Sequence, residues 1–311
     1  MKTKLPTSVS LVSVLTLLVI MHGGIHASGI WPAEDPSMQG VAPLNHKLPE
    51  TKAEGSSITS SATTGPPLSR EYIYLGGRLL AEVDPAGIAS VGVYRNGIWF
   101  LRNTNSSGPH DVTFGFGMST DIPVVGDWNG DGVDTVGVFR DGSWLLRNTN
   151  STGNPDLTMA LGGPGDIPVV GDWNGDGIDT VGVYRNGIWY LRNSNTTGAP
   201  DLTIGFGAPG DIPVVGDWNG DGVDTIGVFR QGGWLLRNSN TSGDPDLITA
   251  LGTTGDIPVV GDWNGDRVDT VGVFRQGIWF LRNSNTSGNP DITLGFGATT
   301  DRPVAGDWDR R

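Results

Sequence analysis

Asp121-Ile-Pro-Val-Val-Gly-Asp-Trp-Asn-Gly-Asp-Gly-Val-Asp134 is the stretch that decides the architecture. It returns almost unchanged at Asp166, Asp211 and Asp256, and in part at Asp301, with a period of 45 residues and no drift. A fixed period of this size marks a repeat architecture, in which each unit buries its apolar face against its neighbours. The first half, Pro123 to Gly126, is short, apolar and β-branched, so it reads as a strand. The second half, Asp127-Trp-Asn-Gly-Asp-Gly, reads as a tight loop with three oxygen-bearing side chains at alternate positions.

Working outward, each unit holds four strand-like pieces. In the second unit they are expected near 123–127, 135–140, 143–148 and 155–161. Asp141-Gly142 is a hairpin turn signal, and 148–154 is a polar loop. Four short strands in about 45 residues is the arithmetic of a propeller blade. The segment 84–90 occupies the register of 129–135, so the first unit starts after its first strand. The last unit, from Asp301 to Trp308, stops just after that strand. The expected fold is therefore all-β: a five-bladed β-propeller of four-stranded repeats, closed by a blade shared between the N- and C-terminal parts. An open curved array is the alternative. A second layer of repetition runs through the units. Those with Gly-Ile-Trp-(Phe/Tyr)-Leu-Arg alternate with those carrying Trp-Leu-Leu-Arg, as if a 90-residue pair had been duplicated.

Composition agrees. The chain has 311 residues, 49 Gly, 11 Trp and no Cys, with a net charge of -13. Gly-rich, Trp-rich, β-branched composition suits many tight turns. With 20 Lys and Arg against 33 acidic residues, no basic face for nucleic acid is assembled. Without Cys, no disulfide holds the fold.

Residues 1–27 read as a secretory signal: Lys2 and Lys4, an apolar run from Val9 to Met21, then Ile25-His26-Ala27. The run is shorter than the roughly 20 residues of a membrane span, so no stable span is expected in the mature protein. Residues 28–69, with six Pro and a Ser/Thr tract, read as a disordered linker. Residues 70–83 read as a hairpin about Gly76-Gly77, and the string resembles the tyrosine-rich RHS (YD) repeat. The repeat domain covers 84–311.

The acidic loops carry the candidate chemistry. In Asp127-x-Asn129-x-Asp131-Gly132, alternate side chains converge while Gly permits the turn, a spacing that suits Ca²⁺ and its hard oxygen ligands. The Val133 carbonyl and the Asp134 carboxylate are candidates to complete the shell. The alternative is an Asx-turn loop whose carboxylates accept backbone N–H groups with no metal. The loops, together with Phe206-Gly207-Ala208-Pro209-Gly210-Asp211, resemble the FG-GAP/VCBS repeats of integrin-α-type propellers across about 84–308. The resemblance implies calcium loops between the first and second strands of each blade, and a role in extracellular recognition. It implies the ligands Asp127, Asn129 and Asp131; Asp172, Asn174 and Asp176; Asp217, Asn219 and Asp221; and Asp262, Asn264 and Asp266. The closing positions are Val133 and Asp134, Ile178 and Asp179, Val223 and Asp224, and Val268 and Asp269. The closing acid sits eighth in the loop, where the family has it ninth. Arg267 replaces the turn Gly in the fourth copy, and the shared unit lacks the pattern.

Other features repeat. Trp128, Trp173, Trp218, Trp263 and Trp308 lie in the loops, as candidate glycan platforms or as packing between blades. Sequons at Asn105, Asn150, Asn195, Asn240 and Asn285 are candidate glycosylation sites or turn residues. Each unit carries two Arg, such as Arg140 and Arg147, expected to pair with the recurrent Asp residues or to form a rim; exposed pairs contribute little, so no function is assigned to them. The repeat region has one His, His110, no Cys and no Gly-x-Ser-x-Gly elbow, so no enzyme is expected. The leading reading is a secreted adhesion or lectin-like module with an extracellular protein or glycan partner. The alternatives are a subunit of an extracellular filament or coat, hence a homo-oligomer, and an accessory domain of a secreted enzyme system.

Overall fold

The computed structural model describes residues 71–75, 78–83 and 87–309. The expected signal (1–27) and linker (28–69) lie outside the described residues. Strands β1 (Glu71–Leu75) and β2 (Arg78–Val83) pair antiparallel as the expected hairpin and form a sheet of their own.

The repeats form five antiparallel sheets of four strands, the blades of a propeller. Blade one is β22 (Arg302–Gly306), β3 (Ser90–Arg95), β4 (Ile98–Leu101) and β5 (Val112–Gly115), in that spatial order. Blade two is β6 (Ile122–Gly126), β7 (Thr135–Arg140), β8 (Ser143–Leu146) and β9 (Leu157–Ala160). Blade three is β10 (Ile167–Gly171), β11 (Thr180–Arg185), β12 (Ile188–Leu191) and β13 (Leu202–Gly205). Blade four is β14 (Ile212–Gly216), β15 (Thr225–Arg230), β16 (Gly233–Leu236) and β17 (Leu247–Ala250). Blade five is β18 (Ile257–Gly261), β19 (Thr270–Arg275), β20 (Ile278–Leu281) and β21 (Ile292–Gly295).

The C-terminal β22 pairs with β3 from Arg302↔Tyr94 to Gly306↔Ser90, so the shared blade closes the ring and the open array is set aside. The first strand of each blade lies innermost. There Pro123 and its equivalents are tolerated, because an edge strand leaves one row of N–H groups unused. The second strand is buried along nearly its whole length, since blades cover both its faces. Gly137 sits within it because a Cβ would lie 2.5 Å from Leu146 Cδ2 and 2.9 Å from Val124 Cγ2. The following turn is Asp141-Gly142, with φ of 49° and 95°, as a two-residue hairpin turn requires. The third and fourth strands end earlier than expected. Arg147 leaves the ladder to organise the polar loop, donating from Nη2 to Thr149 Oγ1 at 2.7 Å and Ser151 Oγ at 3.0 Å.

The core lies between blades. Val124, Phe139, Trp144 and Leu146 of blade two pack with Val181 and Val183 of blade three, and the other interfaces repeat this. Trp144 is 0% exposed, meets Phe139 edge-on at 5.0 Å, and donates from Nε1 to the Leu161 carbonyl at 3.1 Å. A buried Trp of this kind removes 150–250 Å² from water, roughly 4–6 kcal/mol at about 25 cal/mol per Å².

Candidate functional site

The acidic loops join the first and second strands of blades two to five. Asp127 organises its loop through backbone amides. Oδ1 accepts from Asn129, Gly130 and Asp131 at 3.3, 2.8 and 3.2 Å, and Oδ2 accepts from Gly132 at 2.6 Å. Asp172, Asp217 and Asp262 do the same in their loops. Asn129 donates from Nδ2 to Asp131 Oδ2 at 3.0 Å, and Val133 donates from its N–H to Asp131 Oδ1 at 3.0 Å. The pairs Asn174–Asp176, Asn219–Asp221 and Asn264–Asp266 repeat the side-chain bond. Asn129 and Asp131 and their counterparts are exposed.

The fit of this donor set to Ca²⁺ is partial. Four amides occupy Asp127, which has about four acceptor sites. A cation would also have to displace the Asn129–Asp131 bond and turn the Asn oxygen inward.

The closing positions turn toward the neighbouring blade. Asp134, Asp179, Asp224 and Asp269 do not complete their own loops. Each reaches the preceding blade. Asp179 Oδ2 accepts from the Asp127 N–H at 2.8 Å, and Asp179 returns its own N–H to the Asp127 carbonyl at 2.8 Å. Asp224 clasps Asp172, Asp269 clasps Asp217, and Asp134 clasps Asp307 in the same way. The physical reason is the turn into the second strand, which aims this side chain at the wheel axis. Ile178, Val223 and Val268 sit over Gly130, Gly175 and Gly220 of the preceding loops.

The four carboxylates therefore line an axial cavity of ≈ 160 Å³, together with Val125, Val170, Val215 and Val260. Ala89 takes the fifth position. Burial pushes Asp134 and Asp269 up to about 7, and neighbouring aspartates add to the effect. Burial, then the next Asp around the ring, holds Asp179 and Asp224 well above the usual carboxylate range.

The loop tryptophans and the sequon asparagines take structural roles in the wheel. Trp128, Trp173, Trp218, Trp263 and Trp308 are 3–7% exposed and present no free ring face to a glycan. They lie against the next sheet, because a loop closing an inner strand must cover the gap between blades. Asn105, Asn150, Asn195, Asn240 and Asn285 pin loops instead of standing free. Asn150 Nδ2 donates to the Asp134 carbonyl at 2.8 Å, and the other four repeat this bond to Ala89, Asp179, Asp224 and Asp269.

The opposite face of the wheel carries the pairing of Arg with the recurrent Asp. Arg140 binds Asp121 through Nε and Nη2 at 2.6 and 2.7 Å, and the other four blades repeat the geometry. The five carboxylates are 0–3% exposed, so these are half-buried pairs and not a loose rim. The recurrent Asp-to-Arg spacing of 19 was the available signal. Side-chain bonding to Arg185 lowers the pKa of Asp166. Bonding to Arg230 does so for Asp211 against the opposing effect of burial, and Arg275 lowers Asp256.

This face also explains the 90-residue layer. Arg95, Arg185 and Arg275 lie over Phe100, Tyr190 and Phe280 at 5.2–5.4 Å, in blades one, three and five. Blades two and four carry Leu145 and Leu235 instead. Between blades three and four a groove of ≈ 450 Å³ opens beside Arg230 and Leu235, floored by Ile188 and Phe206. His110 packs edge-on against Phe100 at 5.2 Å. Among the described residues, no three His, Asp or Glu side chains converge as a metal cluster.

No protein-family model matches the chain, and no curated protein matches it. One similar solved structure is described as BBS1N in complex with ARL6DN, soaked with lead. The TM-score is 0.35 at 14% identity, covering 66% of this chain and 63% of that one. Similarity of that degree carries no functional argument.

Proposed function

We propose that the chain is a secreted, non-enzymatic β-propeller of the FG-GAP/VCBS type that acts in extracellular recognition, holding a protein or glycan partner. The observation that supports this is the fivefold repetition of surface groups about one axis. Repetition turns a weak contact into avidity. Catalysis instead calls for one asymmetric pocket with convergent reactive groups. Calcium is a separable part of the proposal: it stiffens the loops at Asn129 and Asp131 and their counterparts, once the Asn–Asp bond gives way.

The mature protein, immobilised and probed with a glycan array and with extracellular protein extracts under cross-linking, is expected to retain a saturable partner. Absence of any partner, with filaments seen by negative-stain imaging, would transfer the reading to a structural subunit. Titrating Ca²⁺ into chelator-treated protein is expected to give heat and a higher Tm. A flat titration at millimolar calcium removes the ion and leaves recognition standing.

A further inference from the structure

We infer that the wheel has one built-in opening line, at the non-covalent closure of blade one, set by the absence of a carboxylate at Ala89.

Every junction between blades is covalently linked by a loop from an outer strand to the next inner strand. The closure is different. When the ring opens, β22 leaves with blade five, while β3, β4 and β5 leave with blade two. The contacts that cross this line include the β22–β3 ladder, the Arg95–Asp301 fork, the bond from Arg302 to the Asp121 carbonyl, the two-bond clasp of Asp134 with Asp307, the packing of Ala89, Val91 and Val93 on blade five, and the single inner bond at Ala89.

At four inner junctions the clasp has two hydrogen bonds: an N–H to the carbonyl of the preceding loop's first residue, and a carboxylate accepting that residue's N–H. At the fifth, the Ala89 N–H reaches the Asp262 carbonyl at 2.8 Å, but a methyl group stands where the acceptor would be. The Asp262 N–H has no acceptor among the described residues. The outer latch is no weaker here, since Ser107 Oγ accepts from the Gly295 N–H at 2.8 Å as Thr152 does from Gly115 at 3.2 Å. The deficit is confined to the inner end.

Other departures from the repeat gather at the same loop. Arg267 holds φ of 70°, where the three sister loops have Gly at 80°, 81° and 84°. Left-handed backbone costs an arginine more than a glycine. Trp263 alone of the loop tryptophans donates to a carbonyl, that of Thr270 at 3.2 Å, while Nε1 of Trp128, Trp173, Trp218 and Trp308 finds no partner. One bond fewer, at the one line that no peptide bond crosses, selects where the wheel opens first.

Native-state hydrogen exchange on the full-length protein tests this. Among the amides of Asp127, Asp172, Asp217, Asp262 and Asp307, that of Asp262 is expected to exchange fastest, by about fivefold, the equilibrium equivalent of one hydrogen bond. The β22–β3 ladder is expected to exchange faster than the β6–β7 ladder. Ala89→Asn supplies a neutral acceptor and is expected to slow the Asp262 amide by about the same factor. Equal rates at the five amides, or equal rates in the two ladders, would overturn the inference. Should the Asn variant fail to fold, Asp179→Ala is expected to bring the Asp127 amide up to the Asp262 rate. An unchanged Asp127 rate would overturn it too.

Discussion

Asp166 and Asp179 stand 13 residues apart in one unit and meet opposite electrostatic fates. Asp166, on the turn face, is 2% exposed and held in a fork by Arg185, which keeps it ionised. Asp179, at the axis, accepts one amide, is buried, and faces its like around a narrow cavity, so its charge is disfavoured. The same residue type stabilises the wheel as an anion on one face and resists ionisation at its centre. Burial raises Asp179 unopposed by a guanidinium fork, whereas at the covered Asp166 the bonds to Arg185 outweigh it.

The largest expected effect comes from removing the partner on the turn face. Arg185→Leu leaves the Asp166 carboxylate covered, with the Gly163 N–H as its remaining donor at 2.8 Å. A Tm lower by several degrees should appear in thermal unfolding at pH 7. An unchanged Tm would make this pair no better than an exposed one.

Next comes pH. The folded pKa values of Asp134 and Asp269 are raised to about 7, so the folded state binds more protons than the unfolded chain between that value and about 4. Stability therefore increases as pH falls through about 7. Asp166, Asp211 and Asp256 are lowered, and their contribution is present above about 4 and lost as pH falls through their folded values. Tm is expected to be highest on the acid side of neutrality, several degrees above its value at pH 8. A Tm that falls steadily from pH 8 to pH 5 breaks the contrast.

Asp179→Asn sharpens it, keeping an acceptor for the Asp127 amide while removing the charge. A gain of about 1 kcal/mol at pH 8, vanishing near pH 5, is expected from denaturant unfolding at the two pH values. The smallest effect is expected from Asn240→Ala, which deletes one bond to the Asp224 carbonyl and should cost about 1 kcal/mol or less.

Much of the fold was legible in order along the chain. Strand, turn and period are local properties, so Asp141-Gly142 and the apolar, β-branched run from Pro123 to Gly126 declared themselves. The shared blade was legible because the end segments 84–90 and 301–308 are complementary pieces of one unit. The sites were less so. Asp134 read as a candidate closing member of its own loop, and Trp128 stayed open between platform and packing, because a sequence shows neighbours along the chain and not across a gap between sheets. Asp121 and Arg140 were visible as a spacing, but their burial was not.

What the sequence alone determined is the wheel: five like sheets, their turns and the strand that closes them, since repeated short-range pattern specifies repeated local structure. What only the tertiary structure decided is the partner of each side chain. Which aspartate meets an arginine and which meets another aspartate depends on how blade packs on blade, and those contacts join residues 52 positions apart as readily as two.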